Sequence, residues 1–279
     1  MLHQKSTINC KGKLIDLSEP IIMGILNVTP DSFFDGGKYD NVKAMLNQAE
    51  KMIINGATII DVGGMSSRPG AQIISVKEEL SRVVPIIEQI KVHFPNVIIS
   101  IDTVQAKVAR QSVIAGASII NDISAGRIDD QMFNTVAELN VPYILMHMQG
   151  EPKNMQQDPK YKDVTNNVLE FFIEKIGKLR ELGVKDIILD PGFGFGKTTQ
   201  HNYQLLQKIA IFKILDLSLL VGVSRKSMIY KILNSTPDEA LNGTTVLNTL
   251  ALERGAKILR VHDVKEAQET ITLWKQLNQ

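Results

Sequence analysis

Four segments of this chain share one pattern, in which a glycine is followed by a short apolar run and then by a polar side chain. The glycines are Gly56, Gly116, Gly183 and Gly255, and the polar residues after them are Asp61, Asn121, Asp190 and Arg260. A glycine here is typical of the left-handed residue that ends a helix, and the apolar run is short enough for a strand buried on both faces. Each segment therefore predicts a helix followed by a parallel strand, with polar side chains where the strand ends.

The pattern extends along the chain as an alternation of strands and helices. Eight apolar strand candidates lie at residues 21–26, 57–62, 97–102, 118–122, 142–147, 186–190, 217–223 and 257–261. Eight such pairs in 279 residues favour an α/β fold of the closed (β/α)8 TIM-barrel type, which typically needs about 250 residues. An open doubly wound sheet is the alternative, but the first strand is not followed by the glycine fingerprint that this fold uses for phosphates.

Composition and charge narrow the class of protein further. We predict a single domain over residues 1–279, in which residues 1–20 form a β-hairpin lid on one end of the barrel. With 31 basic and 30 acidic residues, the net charge of +1 does not suit a nucleic-acid binder. The single cysteine, Cys10, cannot form an internal disulfide, and no apolar run reaches the length of a membrane helix. We therefore expect a cytoplasmic protein without a membrane or nucleic-acid partner.

Three acceptor side chains are predicted at the carboxyl ends of strands, which form the catalytic face of a TIM barrel. These side chains are Asp102, Asn121 and Asp190. Their oxygens would suit a donor-rich ligand such as the amino-pyrimidine edge of a pterin or guanine. A hard-metal site and a general acid/base pair are alternative interpretations, and any one aspartate could simply cap a helix.

A basic pair lies on the last predicted strand. Arg260 and His262 are two residues apart, so they face the same side of that strand. Their donors indicate a phosphate or pyrophosphate ligand, although an arginine in a structural ion pair and a packed histidine would give the same pattern. Asn27 ends the first strand, which neighbours the last one in a closed barrel, and is a candidate ligand for the Mg²⁺ that usually accompanies pyrophosphate.

A glycine-rich segment after the sixth strand ends in G-K-T at residues 196–198. It is similar to a phosphate-binding P-loop, but Pro191 occupies the position of the first glycine, so that motif does not apply. We expect its glycines to let the backbone approach a flat ligand closely. His147, at the end of the fifth strand, is interpreted as a structural, hydrogen-bonded imidazole.

Five motifs in this order resemble the dihydropteroate synthase family. They are M-G-I-L-N-V-T-P-D-S-F at 23–33, S-R-P-G-A at 67–71, D-P-G-F-G-F at 190–195, S-R-K-S at 224–227 and R-x-H at 260–262. The resemblance implies a TIM barrel that condenses 6-hydroxymethyl-7,8-dihydropterin pyrophosphate with p-aminobenzoate, giving 7,8-dihydropteroate and pyrophosphate in folate biosynthesis. It also implies Mg²⁺ as cofactor, a homodimer, and sulfonamides as inhibitors.

The resemblance assigns roles to individual residues. It implies that the pterin is held by Asp102, Asn121, Asp190 and Lys226, with Met146 packed against it. The pyrophosphate is assigned to Asn27, Arg68, Arg260 and His262, with Asn27 also the metal ligand. The p-aminobenzoate pocket is assigned to Ser67, Pro69, Gly194, Phe195, Lys226 and Ser227. Catalysis is assigned to Asp102, Lys226, Arg260, His262, Arg68 and Asp35, the last in a loop expected to close over the site.

Two residues depart from the family pattern, since Met65 stands where glutamate is common and Ser67 replaces a threonine. We expect activity to survive both changes. A methyltetrahydrofolate-dependent methyltransferase shares a pterin-binding barrel, but it would not need the S-R-P and S-R-K-S motifs. An inactive paralogue that only binds a pterin or a partner should have lost pyrophosphate-binding residues, and all four of those assigned above are present.

Overall fold

The computed structural model describes residues 6–28, 38–66, 70–150, 155 and 158–278, with the backbone alone for 38–41. An antiparallel hairpin of β1 (Thr7–Cys10) and β2 (Lys13–Asp16) precedes eight parallel strands that close into a barrel in chain order. These strands are β3 (Ile21–Asn27), β4 (Ile59–Gly63), β5 (Ile98–Asp102), β6 (Ile119–Asp122), β7 (Tyr143–Met146), β8 (Ile187–Asp190), β9 (Ser218–Val221) and β10 (Ile258–Val261). The predicted TIM barrel and its hairpin are confirmed, and the single-domain bounds at 1–279 stay a prediction.

Helices connect the strands and cover the outside of the barrel. They are α1 (Lys38–Ile54), α2 (Val76–His93), α3 (Ala106–Ala115), α4 (Met132–Leu139), α5 (Val164–Glu181), α6 (Thr199–Lys208), a 3₁₀ helix (Ile209–Leu215), α7 (Ser227–Tyr230), α8 (Leu241–Glu253) and α9 (Val264–Leu277). Their apolar faces pack on the outward-facing strand residues in one large core. In the part of the chain that the structure describes, no helix combines the length and hydrophobicity that a membrane span requires.

Each of the four glycines that opened the sequence pattern ends a helix in the left-handed conformation, with φ from +83° to +128°. At each one, the glycine N–H donates to the carbonyl three residues back and the next N–H donates to the carbonyl five residues back. At Gly56 these bonds reach Ile53 at 3.0 Å and, from Ala57, Met52 at 2.9 Å. This is the Schellman arrangement, and it turns the chain from each helix into the next strand. The predicted junctions are confirmed.

An apolar layer fills the amino-terminal end of the barrel. Every barrel strand contributes one residue to it: Met23, Ile59, Ile98, Ile119, Ile144, Ile188, Leu220 and Ile258. The hairpin adds Ile8 and Ile15 to the same cluster. Lys11 Nζ donates to the carbonyl of Val113 at 2.9 Å, and Lys13 Nζ to that of Asn96 at 2.6 Å. The hairpin therefore closes the end of the barrel opposite to the carboxyl ends of the strands.

A mostly polar layer lies above the apolar one, because side chains two residues further along each strand face inward again. Its members are Ile25, Asp61, Ser100, Asn121, Met146, Asp190, Gly222 and Arg260. The sequence pattern placed Asp61 at a strand exit, but β4 continues to Gly63, and Asn121 and Arg260 are each followed by one more strand residue. The polar side chains therefore lie inside the barrel, below its rim.

Candidate active site

Arg260 lies between two carboxylates at the centre of the polar layer. Its Nε donates to Asp61 Oδ2 at 2.7 Å, and a terminal nitrogen donates to Asp102 Oδ2 at 2.7 Å. Burial disfavours the charged guanidinium, but the two carboxylates outweigh that effect and raise the pKa of Arg260 above its ordinary value. The ion pair that the sequence left open as an alternative is therefore present, and it fixes a permanent cation at the mouth of the barrel.

Asp61 is a site residue whose role the sequence did not reveal. Besides Arg260, it binds Nδ2 of Asn121 at 3.0 Å, and its side chain is fully buried. Within the described residues, Asp61 Oδ1, Asn121 Oδ1 and Ser100 Oγ are buried without a hydrogen-bond partner. Unpartnered buried polar atoms are costly, so this layer is suited to a ligand that brings N–H donors. That is the donor-rich ligand expected from the sequence.

The predicted acceptors Asp102, Asn121 and Asp190 are brought into one pocket. Asp102 pairs with Asn121 in register on neighbouring strands, and Asp190 pairs with Met146. Burial raises the pKa of Asp102 to about 7 against the opposing effect of Arg260, with the Asp61 carboxylate adding to the rise. Burial also raises the pKa of Asp190, opposed mainly by Lys226. Burial therefore disfavours the charged form of both carboxylates, and the neighbouring Arg260 and Lys226 cations oppose it.

Lys226 reaches this pocket from the loop after β9. Its Nζ donates to the carbonyl of Phe193 at 2.6 Å and lies 4.7 Å from the centre of the Phe195 ring. Burial lowers the pKa of Lys226 to about 8, with Asp190 opposing the change. A Cβ on Gly194 would come within 3.3 Å of Lys226 Cδ, so the glycine lets the lysine stem pass close to the backbone. Ser227, the next residue, begins α7 and is half-buried.

An apolar wall lies beside the polar residues. Met146 and Phe195, both predicted in ligand pockets, belong to one buried cluster with Met65, Met148, Met155, Val104 and Ile123. Met65, one of the two departures from the family pattern, is 9% exposed and so is part of this wall. Methionine and aromatic side chains of this kind suit the face of a flat ring.

Asn27 ends β3 at the rim, where its side chain is exposed beside Gly63 of β4. A Cβ on Gly63 would lie 3.8 Å from Asn27 Oδ1 and 3.8 Å from Asp102 Oδ2. The glycine thus keeps room between two oxygens of the kind that Mg²⁺ prefers. No group of three His, Cys, Asp or Glu that could hold a metal occurs in the described ranges. Among the described residues, Asn27 and Asp102 therefore supply the side-chain oxygens nearest to this space.

His262 follows Arg260 by two residues and lies exposed at the rim. Its backbone N–H donates to Ser224 Oγ at 3.2 Å. Partial desolvation of the imidazole and the nearby Arg260 charge lower the pKa of His262 to about 4. The Arg260 cation therefore disfavours a second positive charge at this position.

The remaining predicted residues either lie outside the described residues or lie away from the pocket. Asp35, Ser67, Arg68 and Pro69 lie outside the described residues. His147 is buried, with Nδ1 2.9 Å from Lys197 Nζ, as expected for a structural imidazole. Arg225 of the S-R-K-S motif turns away from the pocket and forms two 2.9 Å bonds to Asp263. It supports the loop that presents Lys226.

Comparisons with known proteins agree with this geometry. The sequence profile of the family described as "Pterin binding enzyme" matches residues 23–262. Dihydropteroate synthase of Escherichia coli (strain K12) is 50% identical over 94% of this chain and 93% of that protein. The Yersinia pestis dihydropteroate synthase, solved with a sulfonamide drug complex, is 44% identical, with a TM-score of 0.92 over 98% of this chain and 99% of that one.

A further similar structure was solved with a bound ligand. Dihydropteroate synthase from Xanthomonas albilineans in complex with 7,8-dihydropteroate is 36% identical, with a TM-score of 0.88 over 98% of both chains. The match extends over the strands that carry Asp102, Asn121, Asp190 and Arg260, and it includes nearly the whole chain. The chain therefore belongs to the pterin-binding enzyme family and, within it, to the dihydropteroate synthases.

Proposed function

We propose that this chain condenses 6-hydroxymethyl-7,8-dihydropterin pyrophosphate with p-aminobenzoate to form 7,8-dihydropteroate and pyrophosphate in folate biosynthesis. The observation that carries the proposal is the set of buried, unpartnered acceptors on Asp61 and Asn121 beside the Arg260 cation. It suits a pterin edge rich in N–H donors next to an anionic leaving group. The methyltransferase alternative would not need the S-R-P and S-R-K-S motifs that this chain carries.

The pterin half of the substrate would lie in the polar layer. Asp102, Asn121 and Asp190 would accept its N–H groups, and Lys226 would donate to its carbonyl side. Met146, 2% exposed and part of the apolar wall, would pack on one face of the ring. Binding would satisfy Asn121 Oδ1, which otherwise lacks a hydrogen-bond partner, and this favours the complex.

The pyrophosphate would lie at the rim, against Arg260 and His262, with Arg68 assigned there by resemblance. The oxygens around Gly63 fit a hard cation, so Asn27 is the residue that would hold Mg²⁺. Bound there, Mg²⁺ would neutralise part of the charge of the leaving group. Arg260 keeps its own charge because it is paired with two carboxylates.

The p-aminobenzoate would lie beside the segment that carries Gly194 and Phe195, within reach of Lys226 and Ser227. Ser67 and Pro69 are assigned to the same pocket by resemblance. Lys226 would place an ammonium group near the benzoate carboxylate, with its position set by the carbonyl of Phe193 at 2.6 Å. The sulfonamides expected to inhibit the enzyme would compete for this pocket.

The bond changes follow from this placement. The C–O bond between the pterin methylene and pyrophosphate breaks, and its electron pair leaves with the pyrophosphate. The lone pair of the aryl amine forms the C–N bond to the same carbon, and one amine proton passes to water or to the departing pyrophosphate. Carboxylates of Asp61, Asp102 and Asp190 stabilise the positive charge that develops on the methylene. An aryl amine is already unprotonated at neutral pH, so it needs positioning more than a base.

The purified protein should convert the two substrates in the presence of Mg²⁺, with equal amounts of pyrophosphate and 7,8-dihydropteroate released. Lys226→Ala should abolish most turnover without lowering the melting temperature, because its side chain serves the ligands more than the core. Tight pterin binding without turnover by the wild-type protein would contradict the enzyme proposal and favour the inactive paralogue. Wild-type rates in the variant would remove Lys226 from both pockets.

The protein is further proposed to act as a homodimer in the cytoplasm. The dimer is implied by the family resemblance and supported by exposed apolar side chains in the turn after α7 and on α8 and α9: Ile232, Leu233, Val246, Leu250, Leu273 and Leu277. The cytoplasm suits a chain whose single cysteine cannot form an internal disulfide. Light scattering would give the mass, and Leu273→Lys should shift it to that of one chain. Cell fractionation would test the location.

A further inference from the structure

Lys197 ends the glycine-rich segment that looked like an incomplete phosphate loop, but its ammonium group is buried in the protein. The residue is 2% exposed. Its Nζ lies 2.9 Å from His147 Nδ1 and bonds to the carbonyls of Gly192 at 3.0 Å, Phe195 at 3.1 Å and His147 at 3.3 Å. An ammonium has three N–H donors, and these four acceptors are enough to use all of them. Lys197 is therefore bonded to acceptors of the protein and not available to a phosphate.

The acceptors belong to two different segments, and Lys197 joins them. One is residues 192–196 after β8, and the other is residues 147–149 after β7. The two backbones touch, because a Cβ on Gly192 would lie 1.9 Å from the carbonyl oxygen of His147 and one on Gly196 would lie 2.2 Å from that of Gln149. Both glycines also have positive φ, +69° and +58°. Close backbone packing and the buried lysine together fix the course of residues 192–196.

The same segment supports the pocket on its other side. The carbonyl of Phe193 accepts from Lys226 Nζ at 2.6 Å, and the Phe195 ring lies beside the same ammonium. Asp190 Oδ1 accepts from the N–H of Gly192 at 2.8 Å. Lys197 therefore binds the same segment that holds Lys226, but its own ammonium group does not line the pocket.

Burying a lysine at position 197 costs free energy, and a residue that only fills space would not need to carry that cost. Burial lowers the pKa of Lys197 well below its ordinary value, with Asp190 opposing the change. A methionine has a similar length and would fill the same volume without a charge to desolvate. A methionine cannot donate hydrogen bonds to the loop carbonyls. These hydrogen bonds are therefore the contribution that is specific to a lysine at this position.

We propose that Lys197 is a positioning residue for the reaction: it holds residues 192–196 against residues 147–149, so that the Phe193 carbonyl and the Phe195 ring fix Lys226 beside the p-aminobenzoate pocket. The inference rests on the proposed function and adds to it. Two of the pterin contacts, Asp102 and Asn121, lie on strands that Lys197 does not touch, whereas Gly194, Phe195 and Lys226 of the p-aminobenzoate pocket lie on or against the segment that it holds. The effect of losing Lys197 should therefore be larger for p-aminobenzoate than for the pterin.

The test is Lys197→Met, with kcat and both KM values measured in steady state and Lys208→Met as the matched control. Lys208 is an exposed lysine on α6, paired loosely with Asp163 at 3.7 Å. We expect kcat/KM for p-aminobenzoate to fall about a hundredfold, the scale of a small misplacement in an active site. Calorimetry should show the affinity for the pterin substrate within about threefold of wild type, and the control should match wild type throughout.

A purely structural lysine would give another pattern. Its loss would lower the melting temperature and the active fraction, reducing the apparent kcat and leaving both KM values unchanged; that result would overturn the proposal. If Lys197→Met does not fold, His147→Phe is the second variant. It removes the imidazole acceptor, keeps a ring against Phe171 and should lower kcat/KM for p-aminobenzoate. If the wild-type protein forms no product, the proposed function fails, and binding of p-aminobenzoate to the two variants still tests the positioning role.

Discussion

Asp61 connects two parts of the pocket, because one carboxylate binds both Arg260 and Asn121. Asp61→Asn would keep the shape of the side chain and remove the charge that pairs with the guanidinium. We expect the free energy of unfolding to fall by about 3 kcal/mol, the scale for breaking a buried ion pair. We also expect weaker pterin binding, because the amide places an N–H₂ donor where Asp61 offers the ligand a second acceptor oxygen. Urea denaturation and ligand calorimetry would measure the two effects.

The surface residue Asp130 offers a control for this change, since Asp130→Asn alters the same functional group where it is exposed. Its free energy of unfolding should stay within about 0.5 kcal/mol of wild type. An Asp61→Asn variant as stable as this control would show that Asp102 alone is sufficient to hold Arg260.

The pH dependence of the reaction should be a narrow bell. The mechanism uses Asp102 ionised and Lys226 protonated. Burial raises the pKa of Asp102 to about 7 and lowers that of Lys226 to about 8. kcat/KM for the pterin substrate should therefore rise as pH passes the first value and fall as it passes the second. Initial rates from about pH 5 to pH 10 would define both limbs. Asp102→Asn should remove the acid limb, and an acid limb that persists in that variant would assign it to another group.

At the scale of elements, the helix ends offer a test in which one side-chain change has opposite effects. Gly183 follows α5 with φ of +83°, and nothing lies within 4 Å of the Cβ that an alanine would add. Gly183→Ala should cost about 1 kcal/mol through backbone strain alone. Gly177 lies exposed inside the same helix, also with open space around its Cβ. Gly177→Ala should stabilise by about 0.5–1 kcal/mol through helix propensity.

Thermal and urea unfolding of the two variants would give both signs. Gly116→Ala extends the series, because φ there is +128° and a Cβ would come within 2.5 Å of Lys91 Cγ. It should therefore be less stable than Gly183→Ala. Equal effects at positions 177 and 183 would mean that the left-handed conformation is not what the glycines provide.

These helix ends explain why the barrel could be predicted from the sequence. A left-handed Schellman residue almost requires glycine, so Gly56 and its equivalents reveal each junction locally. The depth of the polar side chains is different, because it depends on where a strand stops. β4 runs two residues past Asp61, and its hydrogen bonds to β5 decide that. The sequence therefore indicated which residues are polar but not that they form an inner layer.

Two basic residues show the limit of motif reasoning. Lys197 lies in a near-match to a phosphate loop, yet two of its four acceptors belong to His147, 50 residues earlier at the end of another strand. Arg225 lies in a family motif, and its partner Asp263 is 38 residues later. Such roles depend on which segments pack together, and this cannot be predicted from the spacing of residues in a local motif. Asp35, Ser67, Arg68 and Pro69 lie outside the described residues, so their roles stay predictions.

At the scale of the whole molecule, stability and chemistry are assigned to opposite ends of the barrel. The hairpin residue Ile8 is 4% exposed and packs on the apolar layer. Ile8→Ala should lower the free energy of unfolding by about 3 kcal/mol. kcat measured below the unfolding transition should stay near wild type, because the apolar layer separates the hairpin from the polar layer. A parallel loss of kcat would show that the two ends are coupled.

The closed strand order has a consequence for how the protein is made. β3 must pair with β10, and Arg260 finds Asp61 199 residues away along the chain. A ribosome adding about 5–20 residues per second needs on the order of ten seconds or more to pass from one strand to the other. During that time the edge of β3 that will face β10 has no partner strand and can join a neighbouring nascent chain. The pocket cannot exist before the last strand emerges, so the growing polypeptide has to be protected from aggregation before it can bind any substrate.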